Sequence, residues 1–192
     1  MVKPWLVSLF RIGKRHKQYI ILAVTAVAVF VLFTAQVKAF LIITSLGIVA
    51  TFSQFYKRVF QAPPVFEFVT LTVVAVSVFY GSLIGALFAA VVTITSEVAS
   101  QAIDPFTITY IPPRIAIAFV APLLYHGGMN ATILGLLMSV LYNVLQQPVY
   151  WLLTDPEKRI KSLYFSSLNI PLNWLIFKFL GLPLFELLKM II

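Results

Sequence analysis

Arg114 and Glu97 stand on either side of the segment QAIDPFTITYIPP, and each borders a long run without charge. No Asp, Glu, Lys or Arg occurs from 68 to 96 or from 115 to 154. An arginine fork donates two parallel hydrogen bonds to a carboxylate or a phosphate. Arg114 therefore suits either a structural pair with Glu97 that pins two helix ends, or an anionic group of a ligand. Glu67 follows Pro63 and Pro64 near the start of a helix, where a carboxylate complements the positive helix end. Its alternative role is contact with a substrate or partner. Asp104, just before Pro105, reads as a turn former.

A second group is uncharged. Asn143, Gln147 and Trp151 recur every fourth residue, which places them on one face of a helix, and Tyr142, Gln146 and Tyr150 form the neighbouring line. Rings as walls and amides as orienting groups suit a pocket for a flat polar molecule. The same residues equally suit interhelical hydrogen bonds and an interfacial aromatic belt. Asn169 and Asn173 repeat the spacing and are placed to face the same cavity from the last span. Lys178 lies deeper and suits a snorkelling role.

These side chains must be positioned by elements that are apolar nearly throughout. The chain of 192 residues is 61% hydrophobic and 10% charged, with mean hydropathy +1.00. Soluble domains carry about 25% charged residues. A helix apolar all round belongs in lipid or in a deep core, and a crossing takes about 20 residues. The forty residues from 115 to 154 thus correspond to about two crossings. The expectation is an all-α polytopic membrane protein, a bundle of six or seven transmembrane helices. Ionisable groups inside such spans cost about 2.5–3.5 kcal/mol each on insertion scales and usually mark function.

The expected organisation is a basic, interfacial N-terminal segment, 1–18, followed by one transmembrane domain, 19–192. In the segment, Trp5, Leu6, Leu9, Phe10 and Ile12 interleave with basic residues, as in a helix lying at the headgroups. Residues 19–56 would make one helix about 57 Å long. The polar group Thr34, Gln36, Lys38 marks the expected break into 19–37 and 39–56. Further helices are expected from Phe66 to Tyr80, over 83–101, over 114–125 and from Asn130, a helix cap, to Leu153. TDPEKRIKS reads as a loop, and 163–192 as an apolar stretch broken by Pro171 and Pro183. Gly81, Gly85 and Ala89 form a small-residue line that permits close helix approach, within the chain or with a partner subunit.

The net charge of +8 is gathered beside apolar runs, at Lys3, Arg11, Lys14, Arg15 and Lys17, at Lys57 and Arg58, and at Lys158, Arg159 and Lys161. That arrangement sets orientation and meets anionic lipid, and it is not a nucleic-acid footprint. Seven spans with the N-terminus cytoplasmic put the last two clusters inside. Six put them outside. A multi-pass plasma-membrane location follows. The sequence has no cysteine, no Walker A loop, no H-E-x-x-H and no G-x-S-x-G, and His16 and His126 lie far apart. A metal, hydrolytic or redox centre has no support, so neither an enzyme nor a cofactor is expected.

From about Pro63 to Tyr150 the chain resembles the substrate-binding S-components of energy-coupling-factor (ECF) vitamin transporters. The resemblance rests on the hairpin FEFVTLTVVAVSVFYGSLIGALFAAVVTITSEVAS with its small-residue turn at Gly81 and Gly85, on Glu97 closing the second helix, and on the proline-bearing loop IDPFTITYIPPRIAIAF. Rod-shape factors of the MreD type are similar at this level. The chain departs from the S-component pattern at Ala23, Ala26 and Ala28, which do not form the family's Ala-x-x-x-Ala docking pair, and in the additional apolar segment 39–56. The resemblance implies a non-catalytic subunit that binds a small water-soluble nutrient, such as a vitamin or precursor. It also implies a transmembrane coupling subunit and cytoplasmic ATPases as partners. Binding regions carried over are the loop near 60–67, the 101–114 loop and the polar faces of the last two spans. With the residue arguments above, the candidate substrate-binding set is Glu67, Glu97, Arg114, Asn143, Gln147, Trp151, Asn169 and Asn173. Alternatives are an envelope scaffold in which these groups only fasten helices, and a small channel or facilitator.

Overall fold

A computed structural model describes residues 4–60, 66–103 and 107–192. Lys3, Pro63, Pro64, Asp104 and Pro105 lie outside the described residues, as do the side chains from Trp5 to His16. Every described element is a helix, and no strand occurs among the described residues. The chain divides into two compact units, 1–42 and 43–192.

The first unit is formed by helix α1, Pro4–Ser53, whose last turns belong to the second. The expected break at Thr34–Lys38 is absent, because α1 is continuous through it. The reason is local. No proline or glycine occurs from 14 to 46, Gln36 and Lys38 are good helix formers, and Thr34 Oγ1 donates to the Phe30 carbonyl at 2.7 Å, so its hydroxyl needs no break in the helix. Tyr19, Leu22, Val27, Phe30 and Phe33 are all exposed.

The second unit packs α2 (Tyr56–Phe60), α3 (Val69–Tyr80), α4 (Ser82–Ser100), a 3₁₀ turn (Thr107–Tyr110), α5 (Ile111–His126), α6 (Ala131–Leu153), α7 (Pro156–Ile176), a π-helical turn (Phe177–Gly181) and α8 (Leu182–Ile191). α3 is central. Val69 to Val78 are all buried, as expected of a helix with no polar stripe. Gly81 joins α3 to α4 at φ +99°, a conformation costly for any residue with a Cβ. Gly85 serves packing instead, since a Cβ there would lie 2.4 Å from that of Ser77. Ala89 is fully buried. Exposed Gly81 therefore turns the chain and takes no part in the small-residue contact expected of it.

Prolines open α5 in its first turn, where their missing N–H has no intrahelical partner to lose. Asn130 caps α6 through a bond from the Ile133 N–H at 2.9 Å. The expected TDPEKRIKS loop is instead the start of α7. Asp155 accepts from the Lys158 N–H at 2.9 Å, Pro156 occupies the first turn, and Glu157 complements the positive helix end. Pro171 lies inside α7 and does not break it. Nor does the backbone break ahead of Pro183; it stays helical through an irregular turn at 177–181. Pro183 has no N–H for the Phe179 carbonyl and its ring crowds that oxygen. The helix responds with a π turn in which the Leu182 N–H reaches the Phe177 carbonyl.

Among the described residues four helical stretches are long and apolar enough to cross a bilayer: Tyr19–Arg58, Ser82–Ser100, Thr107–His126 and Ala131–Leu153. α3 is equally apolar but has 12 residues, short of the roughly 20 that a crossing takes.

The π turn brings the Phe177 ring onto α6 at Gly135, where a Cβ would lie 1.9 Å from the ring. We predict that Gly135→Ala destabilises the bundle by about 1–3 kcal/mol and that adding Phe177→Leu recovers much of the loss. A double-mutant cycle of unfolding in detergent measures this. Additive losses would show that the two positions do not meet.

Candidate functional site

Glu67 sits two residues ahead of α3, with its side chain inside the bundle and its residue 2% exposed. Its carboxylate accepts three side-chain bonds: Thr70 Oγ1 at 2.6 Å on one oxygen, and Arg114 Nη2 at 2.7 Å and Gln54 Nε2 at 3.1 Å on the other. Arg114, in the first turn of α5 and also buried, completes its fork with Nη1 to Thr93 Oγ1 of α4 at 3.1 Å. The Tyr142 ring of α6 lies 5.1 Å from its guanidinium carbon, in cation–π contact. One ion pair thus gathers the end of α1, the entry to α3, and α4, α5 and α6.

The expected Glu97–Arg114 pair does not form. Arg114 pairs with Glu67, and Glu97 pairs with Lys57 of α2 at 3.0 Å. Two alternating pairs are more favourable than one pair flanked by two single charges, because an unpaired buried charge costs several kcal/mol. Glu67 is therefore a buried acceptor for a cation, a stronger partnership than the helix dipole alone provides.

The uncharged line on α6 is divided along its length. Asn143 is buried, and its Nδ2 donates to Asn169 Oδ1 of α7 at 3.0 Å. Asn173 is buried one turn further along α7. Gln147 donates to Ser166 Oγ at 2.9 Å and accepts from Ser162 Oγ at 3.1 Å, both on α7. Trp151 does not join them. It is 52% exposed, with the Arg159 guanidinium 5.8 Å from its ring. The α6–α7 hairpin closes just beyond Trp151, at Thr154 and Asp155. Of the neighbouring line, Tyr142 faces Arg114, and the Tyr150 hydroxyl meets that of Tyr110 at 3.0 Å. Lys178 is exposed, with its ammonium 5.2 Å from the Trp174 ring.

The structure therefore brings Glu67 together with Arg114, and Asn143 with Asn169. It leaves Glu97, Gln147 and Trp151 in separate settings. Gln54, Lys57, Thr70 and Thr93 are site residues that sequence reasoning passed over. Lys57 belongs to a basic cluster that reads as a topology signal, and the other three sit in apolar runs where hydroxyls and amides are common. Several buried atoms keep no hydrogen-bond partner: Arg114 Nε, Gln54 Oε1, Asn143 Oδ1 and Asn173 Oδ1.

Among the described residues no three His, Cys, Asp or Glu side chains are grouped to hold a metal ion. A groove of about 500 Å³ lies between the 3₁₀ turn, α5 and α6, lined by Pro112, Ala116, Leu145 and Val149 among others. Thr109 is its one polar lining residue, and none of the polar groups above reaches it. Comparison with known proteins returned no matching family model, no matching curated sequence and no matching solved structure.

We predict that Arg114→Met costs about 3–5 kcal/mol of stability, because it leaves the Glu67 carboxylate buried and unpaired. Glu67→Gln combined with Arg114→Met should cost clearly less than Arg114→Met alone. Thermal unfolding of the three proteins in one detergent decides the matter. A double variant as unstable as the sum of its singles contradicts the pairing.

Proposed function

We propose that the chain is a multi-pass plasma-membrane subunit that binds a small water-soluble nutrient, with its N-terminus cytoplasmic. Partner subunits drive the uptake: a transmembrane coupling protein and cytoplasmic ATPases, as in the ECF transporters whose S-components its hairpin resembles. The bundle would comprise six or seven spans, with α3 and the α7–α8 pair joining the four long apolar stretches. The protein itself performs no chemistry and carries no cofactor.

One observation carries this reading. Polar side chains are buried in two clusters, one around Arg114 and one between α6 and α7, where apolar residues would pack more cheaply, and they are incompletely matched. Arg114 Nε and the oxygens of Gln54, Asn143 and Asn173 are buried without partners. A lost hydrogen bond at such an atom costs about 1–3 kcal/mol. Groups kept at that cost favour a bound guest that satisfies them over a purely structural use. The site residues of this proposal are Glu67, Arg114, Asn143, Asn169 and Asn173, supported by Gln54 and Tyr142.

A second reading is favoured by a different observation. The bonds that do form link separate helices: Lys57 of α2 to Glu97 of α4, Asn143 of α6 to Asn169 of α7, and Gln147 of α6 to Ser166 of α7. In an envelope scaffold of the MreD type, these fastenings would be their whole purpose.

Native mass spectrometry of the full chain, purified in mild detergent, separates the two. The uptake reading expects a co-purifying small solute and recovery of ATPase subunits from membranes under gentle extraction. A bare mass, accompanied by envelope-assembly proteins and no ATPase, overturns it in favour of the scaffold.

A further inference from the structure

The two buried ion pairs form successive rungs between the α1–α2 junction and α4. Gln54 and Lys57 are three residues apart at that junction, and Thr93 and Glu97 are four apart on one face of α4. The first rung runs from Gln54 through Glu67 and Arg114 to Thr93. The second is the Lys57–Glu97 pair, one helical turn nearer the end of α4. Lys57 and Arg114 each interact electrostatically with both carboxylates. Two cations and two anions therefore share one neighbourhood, and more than one pairing is open to them.

The rungs are unequally made. Glu67 accepts from Thr70, Arg114 and Gln54. Among the described residues Lys57 Nζ is the one side-chain donor to Glu97. Arg114 is unequally served as well: Nη2 meets a carboxylate, but Nη1 meets only the neutral hydroxyl of Thr93. A guanidinium N–H bonds more strongly to a carboxylate than to a neutral oxygen. Residues four apart on a helix have their Cβ atoms about 5–6 Å from each other, so Glu97 is the carboxylate placed to take Nη1 from Thr93. What holds it away is Lys57.

We propose that Lys57 decides how many carboxylates Arg114 holds. With the ammonium in place, Glu97 is occupied and Nη1 stays on Thr93. With the ammonium withdrawn, a buried Glu97 carboxylate without a cation is the costly state. Glu97 then turns to Nη1, and Arg114 bridges both acids, tying α4 to α5 by a second ion pair. α2 carries the exchange. It is five residues long and turns Lys57 inward, while Arg58 is exposed beside the Phe55 ring. A displacement of α2 thus reaches the α4–α5 junction as a change of partner between two discrete arrangements. The exchange does not depend on the uptake reading.

Solid-state NMR of the full chain in lipid bilayers reads the pairing directly. In the unaltered chain the Arg114 guanidinium contacts the Glu67 carboxylate and not that of Glu97. In Lys57→Met a second guanidinium–carboxylate contact appears, with nitrogen and oxygen about 3 Å apart. It is lost when Glu97→Gln is added, and Glu97 keeps the carboxyl carbon shift of an ionised acid. Lys57→Arg, which retains a cation, shows no second contact. Lys57→Gln removes the same charge at smaller cost in polarity and is expected to behave as Lys57→Met does. An Arg114 that still holds Glu67 alone in both variants, with Glu97 protonated, overturns the proposal. Failure of both variants to fold overturns it too, because the exchange would have supplied Glu97 with a cation in place of Lys57. A second contact that persists with Lys57→Arg also contradicts it, since the ammonium would then not be what governs the choice.

Discussion

An ion pair withdrawn from water constrains everything around it. Glu67 and Arg114 lie 2.7 Å apart, both nearly fully buried, with the Lys57–Glu97 pair as the other buried ion pair. Removing two such groups from water costs several kcal/mol each, and only close geometry with further hydrogen bonds offsets it. Hence the crowd of partners. Thr70 and Gln54 complete the carboxylate, while Thr93 and the Tyr142 ring complete the guanidinium. Each partner comes from a different part of the chain, so the pair fixes how the end of α1, the entry to α3, and α4, α5 and α6 meet.

The polarity of the buried groups is sorted. Around Arg114, donors and acceptors are nearly balanced by opposite charges. Between α6 and α7 there is no charge, and the unpaired atoms are both oxygens. Tyr142 and Asn143 are consecutive on α6 and face these two environments in turn, as the 100° step between neighbouring helical residues allows.

Much of the architecture was legible in the residues. The charge-free runs delimit α4, α5 and α6 to within a few positions, and Asn130 marks the start of α6 as a cap. Gly81 marks the turn between α3 and α4. What escaped was long-range or cooperative. Arg114 and Glu67 are 47 residues apart, and no local pattern tells which of two carboxylates will face an arginine once helices pack. Glu97 was nearer in sequence and equally plausible. The continuity of α1 was missed because polar residues were read as a break, although Thr34 satisfies itself within the helix. The start of α7 was missed although Asp155, Pro156 and Glu157 form a helix-opening sequence, because charged residues between apolar stretches also resemble a loop. Gln54 had no signal at all: one amide at the end of a long apolar helix is unremarkable until its partner is known.

The most direct test of this account is a solid-state NMR distance between the Arg114 guanidinium and the Glu67 carboxylate, with the chain in lipid bilayers and the signal assigned by its loss in Glu67→Gln. The account requires direct contact, with nitrogen and oxygen about 3 Å apart, and slow exchange of the guanidinium protons with water. A guanidinium that contacts Glu97 instead, or that exchanges freely with solvent, would contradict it.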